Sequence, residues 1–122
     1  MDKPKILVVE DESIIAMDLK LKLEQQGYDV VAIASSADDA VQATKKYKPE
    51  LILMDILLKG EKTGIEASEQ IQKQMDIPII CMTGNMHLLD SLNNKNFDFF
   101  KVLGKPPSEW ELFDSIEKAL NR

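Results

Sequence analysis

Residues 51–60 read LILMDILLKG. The run Leu51–Met54 is purely apolar, and it meets a single carboxylate, Asp55, before the apolar character resumes. An unpaired carboxylate inside a protein costs several kcal/mol or is forced to change its protonation state. Asp55 therefore belongs either at a strand end facing solvent or in a site that gives its charge a purpose. The rest of the chain decides between these two.

Similar apolar runs recur at regular intervals. KILVV (5–9), DVVAIA (29–34), ELILMD (50–55), IPIICMT (77–83) and FFKVL (99–103) read as strands. Between them lie segments with apolar residues three to four apart, the helical period. These are 12–26, 36–47, 64–75, 85–94 and 107–121. In the first, Ile14, Ile15, Leu19 and Leu23 carry most of the pattern, and Gly27 ends it. Ser36 is suited to cap the second, with Asp39 three residues on. The last has Pro107 near its first turn and Trp110, Phe113, Ile116 and Leu120 as its stripe. The Asn-rich fourth segment is expected to be short or mobile.

Strands that are apolar almost throughout are buried on both faces, as in a parallel sheet covered by helices. Five βα units joined by right-handed crossovers leave few topologies. The chain of 122 residues is too short for an eightfold barrel. An α/β, open, doubly wound sheet follows. Ligands of such sheets bind beyond the carboxyl ends of the strands. The residues there are Glu10 and Asp11 after strand 1, Asp55 after strand 3, Thr83 after strand 4 and Lys105 after strand 5.

Bulk composition narrows the function classes. The net charge of −6 argues against a DNA-binding surface, and there is no helix-turn-helix pattern. No apolar run approaches the ~20 residues of a membrane span, and the first residues form no signal peptide. A cytoplasmic location is expected. The single cysteine, Cys81, excludes an internal disulfide and reads as a small buried hydrophobe. His87, the only histidine, reads as an exposed helix residue, and Trp110 as a packing residue.

The site residues have a common chemistry. Three clustered carboxylates need a compensating cation, and their hard oxygens suit Mg2+. Asp55 can act as a nucleophile toward phosphorus. Phosphoryl transfer needs mainly in-line positioning and charge neutralisation, which Lys105 and the Thr83 hydroxyl can supply.

VVEDE, ILMDILLKGEKTGIEA, PIICMTG and GKPP occur in this order, each at the end of its strand. In these motifs the chain resembles the receiver domains of response regulators, over Lys5 to Leu120. The resemblance implies a flavodoxin-like (βα)5 fold with a five-stranded parallel sheet in order 2-1-3-4-5. The sequence ends with its fifth helical segment, so a single receiver domain over 1–122 with no output domain is expected. Asp55 would accept a phosphoryl group from a histidine kinase or a histidine phosphotransfer protein. Glu10, Asp11, Asp55 and the backbone carbonyl of Leu57 would hold Mg2+, and Thr83 and Lys105 would bind the phosphoryl group. Output would be a phosphorylation-dependent contact with a downstream protein on the helix 4, strand 5, helix 5 face, the chain being a monomer or a phosphorylation-dependent dimer. Such a domain is not a turnover enzyme; it catalyses only its own phosphotransfer and slow autodephosphorylation.

Some positions depart from the family pattern. Val102 stands where an aromatic switch residue is usual, with Phe100, two residues back on the same face, as the candidate substitute. Gly104 replaces a bulkier residue, and Lys59 a proline. Val102 and Gly104 support an alternative, a pseudo-receiver that binds its partner without being switched by phosphorylation. A phosphatase with an Asp nucleophile would usually carry a second Asp two residues on, where this chain has Leu57.

Overall fold

The computed structural model describes residues 2–56, 63–85, 87 and 99–121. The apolar runs form five strands: β1 (Lys5–Val9), β2 (Asp29–Ala34), β3 (Leu51–Asp55), β4 (Ile79–Thr83) and β5 (Lys101–Gly104). All neighbouring pairs are parallel, and the order across the sheet is β2-β1-β3-β4-β5. This is the flavodoxin-like arrangement.

Four helices are described: α1 (Ser13–Gln25), α2 (Ala37–Tyr47), α3 (Gly64–Gln72) and a C-terminal helix (Glu109–Leu120). Three of the four start at capping side chains, which satisfy N–H groups that have no partner within the helix; α1 starts after Glu12 without one. Ser36 Oγ accepts from the Asp39 N–H at 3.1 Å, Thr63 Oγ1 from Glu66 at 3.2 Å, and Ser108 Oγ from Glu111 at 3.1 Å. Past the end of α1, Gly27 takes φ +91°, a conformation that glycine adopts without strain.

The sheet has two cores. Leu7, Val9, Ile52, Met54, Ile79 and Cys81 pack under α2 and α3, through Ala40, Val41, Ala67 and Ile71. Ile6, Val8, Leu51, Leu53, Ile80 and Met82 pack under α1 and the C-terminal helix, through Leu19, Leu23, Leu112 and Ile116. Alternate residues of one strand thus serve opposite faces. Each large side chain so buried contributes about 1.5–3 kcal/mol.

Several boundaries differ from the sequence reading. The third helix ends at Gln72 rather than residue 75, and β4 begins at Ile79 rather than residue 77. Ile77 and Pro78 are buried, but proline has no N–H for the ladder; its carbonyl alone accepts, from Ile52 N–H at 3.1 Å. β5 runs from Lys101 to Gly104, two residues later than Phe99. Trp110 is 74% exposed and is not a packing residue; Leu112, Ile116 and Ala119 fill the inner face instead. On α1, Ile14, Met17 and Leu21 point outward, so its apolar pattern is wider than its buried face. The helix expected over 85–94 falls mostly outside the described residues. His87 is exposed, and its N–H donates to Asn85 Oδ1 at 3.0 Å. No helix among the described residues is long and apolar enough to cross a membrane.

Candidate functional site

Parallel strands align their carboxyl ends, and here those ends carry the polar residues. Asp55 is the last residue of β3, and Glu10 follows β1 directly. They are 4% and 1% exposed, although carboxylates are rarely buried without a partner. Asp11 is half-buried beside them. One carboxylate oxygen from each of Glu10, Asp11 and Asp55 lies within 4.8 Å of the other two.

Lys105 joins the cluster from the loop after β5. Its Nζ donates to Glu10 Oε2 at 2.6 Å and to Asp55 Oδ2 at 3.0 Å. The Glu12 N–H donates to the other Glu10 oxygen at 3.2 Å. Burial raises the Glu10 pKa, while the Lys105 hydrogen bond opposes it; the net direction is upward. For Lys105, burial pulls the ammonium's pKa down, but the hydrogen bonds and charges of Glu10 and Asp55 outweigh it and the net direction is up. Lys105 is thus held charged. Three carboxylates against one ammonium leave two negative charges uncompensated, and the donors are hard oxygens. That set fits a divalent cation such as Mg2+. The fourth donor expected, the Leu57 carbonyl, lies outside the described residues.

Thr83 ends β4 and is buried. Its carbonyl accepts the Lys105 N–H at 2.8 Å, which ties the lysine's backbone to the β4 terminus. Its hydroxyl accepts the Asn85 N–H at 3.2 Å and keeps its own proton for another acceptor. Val102 is buried in the core under α2 and α3, paired with Cys81. Phe100 lies at the other end of the strand, its N–H donating to Ile79 O at 2.9 Å. It is about 13 Å of extended chain from Gly104, the residue paired with Thr83. This register sets Phe100 apart from Thr83, so it does not stand in for Val102 there.

Two residues that support the site were not singled out as functional from sequence. A Cβ on Gly64 would overlap the Asp55 carbonyl oxygen and come to 3.0 Å from Ile56 Cα. Only glycine lets α3 begin this close to the end of β3. The Gly64 N–H donates to Ile56 O at 2.9 Å. The buried Ser68 hydroxyl donates to Gly64 O at 2.7 Å, one turn further along the helix. Small residues four apart at the start of α3 are the sequence signal for this close approach.

Comparison with known proteins agrees with this fold. The family model for the response regulator receiver domain matches residues 6–117. The transcriptional regulatory protein PdtaR of Mycobacterium tuberculosis is 30% identical over 118 residues, covering 97% of this chain and 57% of PdtaR. The chain therefore spans little more than half of that relative. The signal receiver domain of a modulated diguanylate cyclase from Desulfovibrio desulfuricans G20 superimposes with a TM-score of 0.88 at 32% identity, covering 98% of this chain and 95% of that one. The REC domain of the PhyR response regulator from Erythrobacter litoralis gives 0.87 at 32% identity, covering 99% and 92%.

Proposed function

The chain belongs to the response regulator receiver domain family, and from that premise we propose that Asp55 is its phosphoacceptor. The donor would be the phosphohistidine of a histidine kinase or a histidine phosphotransfer protein. The observation that carries the reading is the Lys105 ammonium held between the buried carboxylates of Glu10 and Asp55. Such a costly arrangement is reasonable where negative charge must be received and balanced.

In the transfer, an Asp55 carboxylate oxygen attacks phosphorus in line. The P–O bond forms as the P–N bond to the donor histidine breaks, and the imidazole leaves. Lys105 turns its charge toward the arriving phosphoryl oxygens, and the Thr83 hydroxyl donates to one of them. Glu10, Asp11 and Asp55 would hold Mg2+, which supplies the remaining charge neutralisation when bound. Turnover is limited to this transfer and to slow hydrolysis of the aspartyl phosphate. Phosphorylation adds about −1.5 to −2 charge, enough to bias a nearby surface between two states. The output surface would include β5 and the C-terminal helix, where the exposed Trp110 is a suitable anchor for a downstream protein. The cytoplasm, where such kinases phosphorylate their receivers, is the proposed location.

The test is intact-protein mass after incubation with a small phosphodonor, with and without Mg2+, beside Asp55→Asn. A single Mg2+-dependent phosphoryl adduct on the wild type alone is expected. No adduct under any condition would favour the pseudo-receiver reading, which the buried Val102 at the aromatic position supports.

A further inference from the structure

Glycine inside a strand weakens it, having no side chain to pack and much freedom to lose on folding. It is found there at a bulge, at a tight bend, or where another backbone or a ligand comes close. Gly104 is the last residue of β5. The β4–β5 register runs without a shift, so no bulge calls for it. Among the described glycines only Gly27 has positive φ, so backbone conformation does not call for Gly104 either. Nor does crowding: no atom of the described residues lies within 4 Å of where a Cβ on Gly104 would stand. Gly64, whose Cβ would overlap the Asp55 carbonyl, is the opposite case. The approach of a ligand is the reason that is left.

The place of Gly104 says which ligand. It is the register partner of Thr83. Partners on neighbouring parallel strands point to the same face, so a side chain at 104 would stand beside the Thr83 hydroxyl. The pair two residues deeper, Cys81 and Val102, fills its part of that face with buried side chains. The face is thus packed as far as Val102 and cleared beside Thr83. The clearance continues past the end of β4, where a Cβ on Gly84 would meet only the Lys105 carbonyl oxygen, at 3.9 Å. A water molecule would need no such clearing, whereas a ring attached to the arriving phosphoryl group does.

We propose that Gly104 keeps room for the leaving group of the phosphodonor, the imidazole ring of a phosphohistidine, and so determines which donors the site accepts. This rests on the reading of Asp55 as phosphoacceptor. The phosphoryl oxygens go to Thr83 and Lys105, and the ring must fit beside them. As the Asp55 oxygen bonds to phosphorus, the P–N bond breaks and its electron pair stays on the ring nitrogen. The ring, protonated on its other nitrogen, leaves as neutral imidazole. A branched side chain at 104 would meet this ring but not a leaving group as small as ammonia.

Two donors with the same kind of bond test it: phosphoramidate, which releases ammonia, and N-phosphoimidazole, which releases imidazole. Phosphorylation of the wild type and of Gly104→Val is followed by intact mass in saturating Mg2+. The ratio of the imidazole-donor rate to the ammonia-donor rate should fall about tenfold or more in the valine variant. Gly104→Ala should lie between the two. The position is uncrowded and valine suits a strand, so Gly104→Val should melt no lower than the wild type. An unchanged ratio overturns the proposal, whether both rates hold or both fall. A lower melting temperature overturns it too, since the space would then not be clear. A wild type that takes a phosphoryl group from neither donor overturns the phosphoacceptor reading, and this proposal with it.

Discussion

The two ends of the same sheet treat charge in opposite ways. At the carboxyl end, Glu10 and Asp55 are almost wholly buried and share one ammonium. At the amino end, charge stays outside: Glu50 accepts the exposed Lys5 N–H at 3.2 Å, and Lys48 sits on the surface after α2. Burying carboxylates is expensive, and an exposed pair is nearly neutral. The carboxyl end therefore carries stress that folding alone would not require, whereas irregularities at the amino end are small and correctable.

Removing the shared ammonium should break this contrast most strongly. Lys105→Ala leaves Glu10 and Asp55 buried and facing each other, and in metal-free buffer at neutral pH it should cost about 3 kcal/mol. Urea unfolding measures the loss, which should shrink as the pH falls and the carboxylates protonate. Next comes Gly64→Ala. The added methyl would push against the Asp55 carbonyl and should cost about 2 kcal/mol in the same assay, with a slower phosphoryl transfer. At the amino end the sign reverses. Lys48 holds φ 48°, the left-handed region, as the C-cap of α2. Lys48→Gly should stabilise the protein by up to about 1 kcal/mol, seen as a higher Tm with phosphorylation unchanged.

The smallest effect is a pH dependence. Glu10 has a raised pKa in the folded protein, so the folded state binds a proton that the unfolded state has already released. Its contribution to stability is fully present below the ordinary glutamate value of 4.5 and is lost as pH rises through the raised one. In metal-free buffer, Glu10→Gln should flatten the stability profile across that window. An unchanged profile would mean that Glu10 is not the group responsible.

Most of the fold could be read from the sequence because the strands are apolar on both faces. β1 and β2 fall on the expected residues, and β3 differs by one. Apolarity alone failed where backbone chemistry intervened, as with Pro78 before β4, and where an apolar residue faces outward, as with Trp110 and Ile14. The site was legible in the same way: a polar residue ending an apolar strand lies at the carboxyl edge of a parallel sheet. Which oxygens Lys105 grips was not legible, since that depends on the path of the loop after β5. Nor was the approach of Gly64 to Asp55: the small residues Gly64 and Ser68, four apart, signal that something packs closely on the start of α3, but not that it is the end of β3.

Cys81 gives the central sheet a built-in reporter. It lies in the middle of β4, fully buried, and burial pushes its thiol pKa well up. Thiolate, the reactive form, is therefore scarce in the native protein. As the chain's one cysteine, it reacts with a thiol reagent only when the strand opens. Labelling rates would thus clock the opening of the sheet beside the site, residue-specifically and without any engineered probe.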